Sequence, residues 1–408
     1  MNEYSMRTKC AGCGNQDLST IFDLGNVSLL GQYPKTIRRD KEYPLGLIQC
    51  NKCKLVQTNS IINPDFLFKD YRYSSSVSLS NYFKDVARLL TERHDLKNRK
   101  VLEFGCNDGV LMKPLSDLGV NVVGVDPATN IVNIAREKGL NVINDYFNFN
   151  NFKNHENKYD VVIANNTFAH VVNLQDTLKT IKHVLKDGGL FIFEVHYLGN
   201  LINELLWDNI YHEHIYYYSI EALKYLFKNM TIEKVESLDV HSGSIRVTIR
   251  NTDLPNTGVV SEIKGNIKNI ELKLMNDSIE RFSVNVQNHI TSLKNLMNSL
   301  KKGNKIVGYG ASGRAAVMCN VMKWDSSDIS YIIDESSERV NRYISNTDIK
   351  IVDKDKITGD VDIIIIFAWN YSKMIMDKLP TGEYTFLVLF PHIQMVKNFN
   401  ELVGIKSL

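Results

Sequence analysis

Two groups of residues in this chain combine the types and spacing that chemistry needs. The first is the segment Trp207-Asp-Asn-Ile-Tyr-His-Glu-His-Ile-Tyr-Tyr-Tyr218, which holds two histidines, a glutamate and several tyrosines within twelve residues. Histidine is the side chain whose ordinary pKa suits proton transfer near neutrality, so His214 is the candidate general base. Glu213 could fix a tautomer or hold a substrate hydroxyl, and the Tyr211 hydroxyl could stabilise a developing enolate. His212 reads instead as a satisfied core residue. The second group is two C-x2-C pairs, Cys10-Ala-Gly-Cys13 and Cys50-Asn-Lys-Cys53, separated by 36 residues. Zinc takes four thiolates tetrahedrally, and each such turn supplies two from one tight corner. Gly12, Gly14 and Lys52 suit those turns. With all four positions filled by cysteine no site is left for water, so the zinc is expected to be structural. A redox role is disfavoured, because neither pair sits in a thioredoxin-like βαβ pattern.

The elements that must position the first group precede it. Lys100-Val-Leu-Glu-Phe-Gly-Cys-Asn-Asp-Gly-Val-Leu111 reads as a buried strand entering a glycine turn, with a helix starting around Val110 and another earlier, near 80–96. A second strand, Val122-Val-Gly-Val-Asp126, ends on an acid 21 residues after Gly105. That is the spacing at which a carboxylate meets ribose hydroxyls. Asp160-Val-Val-Ile-Ala-Asn165 supplies a fourth strand, and Gly188-Gly-Leu-Phe-Ile-Phe-Glu194 follows a further helix. Alternating strands and helices predict an open, doubly wound α/β sheet with ligands at the strands' carboxyl ends.

Past a polar helical bridge from Val259 to about Leu300, Lys305-Ile-Val-Gly-Tyr-Gly-Ala-Ser-Gly-Arg314 enters a G-x-G-x-x-G turn at Gly308, Gly310 and Gly313. The next strand ends at Asp334. This pattern suits a dinucleotide, and with it an NAD-linked sugar oxidoreductase. It equally suits any diphosphate, since free N–H groups at a helix N-terminus favour anions. Three parts are expected: a zinc-binding domain over 1–75, a cofactor domain over 76–255, and the bridge with a Rossmann-like domain over 256–408.

Composition narrows the class. The chain has 408 residues, 44% of them apolar, and a net charge of +2, which suits a soluble globular protein and gives no field for nucleic acid or an anionic membrane. The N-terminal stretch lacks the apolar core of a secretory signal, and the longest apolar run, Ile363 to Trp369, is far too short to span a bilayer. A cytoplasmic location and a monomer are expected.

Glu103, Gly105 and Gly109 form E-x-G-x-x-x-G, which resembles the first motif of class I S-adenosylmethionine methyltransferases. The order of zinc knuckle, this motif, Y-H-E-H loop and C-terminal glycine turn resembles the nucleotide-sugar C-methyltransferases over essentially the whole chain. The resemblance implies S-adenosylmethionine as methyl donor. Glu103, Gly105, Asn107, Gly109, Asp126 and Asn165 would contact it, with Asp145 and Tyr146 beside the adenine. It further implies removal of the C-3 proton alpha to the ketone of a nucleotide-linked 4-keto-6-deoxysugar, with His214 as base, followed by methyl transfer to the enolate. By the same resemblance His170 faces the pocket, and Tyr71 or Tyr73 reaches its mouth. The hairpin His241-Ser-Gly-Ser-Ile-Arg246 lies beside the site, with His241 and Arg246 as candidates and Ser242 departing from the family pattern. Gly310, Ser312, Gly313, Arg314, Trp369, Asn370 and Tyr371 would hold the nucleotide diphosphate. The rival readings are methyltransfer to nitrogen or oxygen, the NAD-linked oxidoreductase, and a zinc-ribbon nucleic-acid binder; the near-zero charge argues against the last.

Overall fold

The structure is a computed structural model that describes residues 3–68, 80–240, 243–252, 262–264, 266–274, 278–357, 359–379 and 384–403. Tyr71, Tyr73 and His241 therefore lie outside the described residues.

The N-terminal module contains β1 (Tyr4–Met6), β2 (Leu18–Ser28), β3 (Glu42–Cys50), β4 (Val56–Thr58) and β5 (Ser60–Ile62). β1 pairs with β5, while β2, β3 and β4 form an antiparallel sheet. The two cysteine knuckles repeat one turn. In each, an amide N–H donates back to the first cysteine's carbonyl, Gly14 to Cys10 and Lys54 to Cys50, both at 2.9 Å. Each turn ends in a left-handed residue, Gly14 at φ +73° and Lys54 at φ +60°. The second knuckle thus uses Lys54 and not Lys52 for this conformation. Gly12 serves another purpose: a Cβ there would lie 2.9 Å from Leu226 of the central domain.

The central domain supplies β6 (Lys100–Phe104), β7 (Asn121–Val125), β8 (Val142–Ile143), β9 (Tyr159–Asn165), β10 (Leu185–His196), β11 (Tyr216–Tyr217), β12 (Thr231–Leu238), β13 (Ser244–Arg250) and β14 (Glu262–Lys264). Eight of these form one sheet in the order β14-β12-β13-β10-β9-β6-β7-β8. Strands β6 to β10 run parallel, and β13 turns antiparallel against β10. The strand order reverses between β6 and β9, and the carboxyl ends beside such a switch point are where doubly wound sheets bind ligands. The helix after β6 starts at Met112, two residues past the position expected from sequence. β11 leaves this sheet and pairs with β4 of the zinc module, so the Y-H-E-H loop is stitched to the N-terminal domain.

The C-terminal domain contains β15 (Ile306–Tyr309), β16 (Tyr331–Ile333), β17 (Lys350–Val352), β18 (Ile363–Ile366), β19 (Thr385–Val388) and β20 (Gln394–Val396). Their order is β17-β16-β15-β18-β19-β20, parallel except for the last strand. The long helix Ile279–Leu300 buries Phe282, Val286, Ile290, Leu293 and Met297, a three-to-four-residue spacing that puts one apolar stripe on the core. That core is shared. Phe22, Leu45 and Val56 of the zinc module belong to the same apolar cluster as Phe282, Leu293, Val307 and Ile332. A second cluster joins Cys10, Cys50 and Cys53 to Phe104 and Phe191 of the central sheet. Among the described residues no helix is long and apolar enough to cross a membrane.

Candidate active site

A cavity of about 1130 Å³ runs past the carboxyl ends of the central strands, along the Y-H-E-H loop and up to the glycine turn after β15. At its central-domain end, Gly105 sits at φ +64°, and a Cβ there would lie 2.1 Å from the Thr167 side chain. Only glycine leaves that floor open. Glu103, just before it, is 3% exposed, and its Oε2 has no hydrogen-bond partner. Burial, then the nearby Asp126 and Asp108, push its carboxyl well above the usual range. A dry acidic site of this kind suits a cationic ligand such as S-adenosylmethionine, which carries an ammonium and a sulfonium. Asp126 caps β7: its Oδ2 accepts from the Asn107 amide at 3.0 Å and its Oδ1 from the Ala128 amide at 2.9 Å. Each oxygen keeps a lone pair for a ribose hydroxyl. Asn165, with a buried and unpartnered Nδ2, lies opposite at the end of β9. Asp145 and Tyr146 also line the cavity, with the Tyr146 hydroxyl donating to Asp65 of the zinc module at 3.2 Å. Gly109 does not line it. Its φ of +79° is left-handed, and a Cβ there would lie 2.1 Å from Leu140, so Gly109 is a packing position.

The middle of the cavity is lined by His170, His196, Tyr211, Glu213 and His214. His214 is buried, and its Nδ1 lies 2.9 Å from the Asn209 carbonyl oxygen. A carbonyl only accepts, so Nδ1 carries the proton and Nε2 accepts from the Tyr211 hydroxyl at 2.5 Å. Burial, then the charges of His196 and His170 and the Arg314 guanidinium, hold the His214 pKa well below its ordinary value. The ring is neutral at physiological pH. The His170 and His196 rings stand 5.0 and 4.6 Å from it, centre to centre. Burial lowers His170 to about 4. Glu213 is buried with an unpartnered Oε2, and burial lifts its carboxyl to about 7. His212 points away from this group, with its Nε2 3.3 Å from the Tyr43 carbonyl and its ring edge-on to Tyr43.

At the far end, Gly310, Ser312, Gly313 and Arg314 line the cavity together with Asn370 and Tyr371. Trp369 lies beneath them. Its indole N–H donates to the fully buried Asp208 at 3.0 Å, and the Arg314 guanidinium lies over its ring at 5.0 Å and 3.7 Å from the same carboxylate. Trp369 is thus a support for Arg314 and not part of the lining.

Arg246 also falls outside the lining. Its guanidinium donates through Nε and Nη2 to Glu194 at 2.8 and 2.6 Å, and Tyr82 donates to the other Glu194 oxygen at 2.6 Å. A buried pair in which both guanidinium nitrogens share one carboxylate oxygen, Oε1, leaves little for a substrate. Among the lining residues not singled out as candidates from the sequence are His196 and Asp334, the latter read there only as a strand end. Both stand at the carboxyl end of a parallel strand, a position that marks ligand contacts in doubly wound sheets.

None of the four N-terminal cysteines lines the cavity. Their sulfur atoms all lie within 4.8 Å of one another, with Cys10–Cys53 at 3.4 Å and Cys13–Cys50 at 3.5 Å. Bonds of roughly 2.3 Å to a tetrahedral zinc put sulfur atoms roughly 3.8 Å apart, so the set fits the ion.

Residues 10–68 match the family model of a putative zinc binding domain, 76–236 that of a methyltransferase domain, and 239–388 that of a C-methyltransferase C-terminal domain. The C-methyltransferase NovU of Streptomyces niveus is 26% identical over 384 residues, which cover 90% of this chain and 91% of that one. The mitochondrial ubiquinone biosynthesis O-methyltransferase of Rattus norvegicus is 32% identical over 127 residues, 28% of this chain and 37% of its own. Among solved structures, the PH0226 protein from Pyrococcus horikoshii OT3 aligns with 46% of this chain and 97% of its own, at 20% identity and a TM-score of 0.37.

Proposed function

We propose that this chain, an S-adenosylmethionine-dependent methyltransferase with a structural zinc site, methylates carbon C-3 of a nucleotide-linked 4-keto-6-deoxysugar. The observation that carries the reading is the continuity of the cavity. One space connects the acidic glycine-floored pocket after β6, the Tyr211-Glu213-His214 cluster and the Gly310–Arg314 turn. A methyl donor, a proton-handling group and an anion-suited turn are what a ketosugar diphosphate needs in one place. The similarity to NovU, a C-methyltransferase, extends over nearly the whole chain, whereas that to the O-methyltransferase is confined to a shorter stretch.

A carbon acid beside a ketone is weak, so the site must both take the proton and hold the oxyanion. In this reading His214 is the terminal proton acceptor. Both of its ring nitrogens are engaged, Nδ1 by Asn209 and Nε2 by Tyr211. The C-3 proton therefore reaches Tyr211's oxygen as the Tyr211 proton passes to Nε2. Burial opposes the imidazolium that results, and the Glu213 carboxylate offsets that cost when ionised. His170, which burial keeps neutral, and His196 line the same cavity and supply ring N–H groups for the developing oxyanion. S-Adenosylmethionine supplies an electrophilic methyl on its sulfonium. The chain's part there is to hold that ligand with Glu103, Asp126 and Asn165 over a floor open at Gly105.

Solvent-deuterium exchange followed by NMR tests the reading. The protein is incubated with dTDP- and GDP-linked 4-keto-6-deoxysugars, with and without S-adenosylmethionine. Exchange at C-3, and a new carbon-bound methyl when the donor is present, is the expected outcome. A new methyl on oxygen or nitrogen without C-3 exchange would overturn carbon as the acceptor.

A further inference from the structure

The two α/β domains carry the same acid-capped turn, one after β6 and one after β15. In the central domain the Gly105 amide donates to the Val125 carbonyl at 2.7 Å, and the Asp126 amide to Ile143 at 3.1 Å. In the C-terminal domain the Gly310 amide donates to Ile333 at 2.8 Å, and the Asp334 amide to Val352 at 3.0 Å. Asp126 accepts from an amide of the glycine loop, Asn107 at 3.0 Å, and from the amide two residues on, Ala128 at 2.9 Å. Asp334 does likewise, accepting from Ala311 at 2.8 Å and from Ser336 at 2.8 Å. Both glycines are left-handed, at +64° and +90°. Both acids line the one cavity and are nearly buried.

The differences fit two different ligands. Where the central domain has Glu103, the C-terminal domain has Gly308, at which a Cβ would lie 2.7 Å from Phe367. The buried acid that suits a cation is thus missing. The helix starts at Gly313, three residues after Gly310, whereas in the central domain seven residues separate Gly105 from Met112. A turn that short brings the N-terminus of a ten-residue helix close to the ligand, as a diphosphate requires. Asp334 also has the Arg339 guanidinium at 3.3 Å, a cation that orients its carboxylate beside the turn.

We infer that Asp334 holds the 2′- and 3′-hydroxyls of the carrier's furanose, so that the carrier is a ribonucleoside diphosphate and not a 2′-deoxyribonucleoside diphosphate. The inference rests on the nucleotide-sugar reading and deepens it. Each Asp334 oxygen accepts one backbone amide hydrogen bond, and Arg339 stands beside Oδ2 as an ion-pair partner, so the carboxylate can still take two vicinal hydroxyls; a 2′-deoxy sugar offers one and leaves an acceptor unmet.

Calorimetric titration of the zinc-loaded, S-adenosylhomocysteine-saturated protein tests it with matched pairs: UDP and dUDP, CDP and dCDP, GDP and dGDP, ribothymidine diphosphate and dTDP. For the base that binds tightest, the ribo form is expected to bind at least about tenfold more tightly. Asp334→Asn should bring that ratio towards one and leave S-adenosylhomocysteine affinity within about twofold. Ribo and deoxy forms of equal affinity in the unaltered protein would overturn the furanose contact and leave the nucleotide-sugar reading standing, as would a ratio that survives Asp334→Asn. Tight NAD+ binding that Asp334→Asn abolishes, with no diphosphate bound, would keep the contact and overturn the nucleotide-sugar reading. No binding by any of these probes would overturn both.

Discussion

At the scale of single residues, the proposed proton path runs through the Tyr211–His214 contact. Asn has an amide where His214 has its imidazole, so His214→Asn removes the acceptor and keeps the size close. Turnover should fall by about 10²- to 10⁴-fold while S-adenosylhomocysteine affinity stays within about twofold. Near-normal turnover in steady-state assays would take His214 out of the base role. Glu213 allows a test that needs no substrate. Its folded pKa of about 7 lies above the roughly 4.3 of an unfolded glutamate, so the folded state favours the protonated form. The stability this gives is fully present below the unfolded value and is lost as pH rises through 7. Glu213→Gln stays neutral throughout. Relative to the unaltered protein it should gain stability between pH 5 and pH 8, by on the order of 3 kcal/mol at most. Urea midpoints at the two pH values measure this, and a difference that does not change with pH would mean an ordinary carboxyl. The same variant should be a poorer catalyst, an instance of a site kept at a cost to stability.

At the scale of elements, the turn after β6 is the proposed methyl-donor site. Gly105→Ala would force a Cβ to within 2.1 Å of Thr167 at a left-handed backbone position. Affinity for S-adenosylhomocysteine should drop at least about tenfold by calorimetry, with zinc content and far-UV circular dichroism unchanged. Retained affinity would show that the floor yields. Elements of this kind were readable in the sequence because their signals are local. The knuckles, both glycine turns and the acids ending β7 and β16 each occupy a few adjacent positions whose backbone needs are met within the segment. What was not readable depends on partners far along the chain. Arg246 looks available on its strand until Glu194 and Tyr82 claim it from β10 and from the helix Ser80–His94. His196 looks like the tail of an apolar strand until His170 and His214 converge on it. Trp369 is an exposed-looking aromatic in sequence, and only Asp208, 161 residues away, shows why it lies under Arg314. Lys54 took the left-handed place expected near Lys52, a shift of two residues that spacing alone cannot resolve.

At the scale of the whole molecule, the zinc module is the keystone between the other two domains. Cys10, Cys50 and Cys53 pack in the central domain's apolar cluster, while Phe22, Leu45 and Val56 pack in that of the C-terminal domain. Cys50→Ser should therefore cost far more than one knuckle. Reduced zinc content, a lowered melting temperature and loss of activity are expected together, since removing a structural zinc removes folding free energy. Full activity in soluble protein that holds no zinc would contradict the structural role. The long-range contacts are specific as well as apolar. Ser28 donates to Asn320 at 3.1 Å, the Tyr33 hydroxyl to the Ala311 carbonyl at 2.8 Å, and the Tyr343 amide to the Pro34 carbonyl at 3.0 Å. The ribosome delivers the two sides of that interface some three hundred residues apart. At about 5–20 residues per second, the zinc module's sheet waits tens of seconds with an apolar face uncovered before its partner emerges. Early zinc capture can lock the knuckles, but it cannot hide that face. The nascent chain therefore carries that face uncovered until the C-terminal domain has been made.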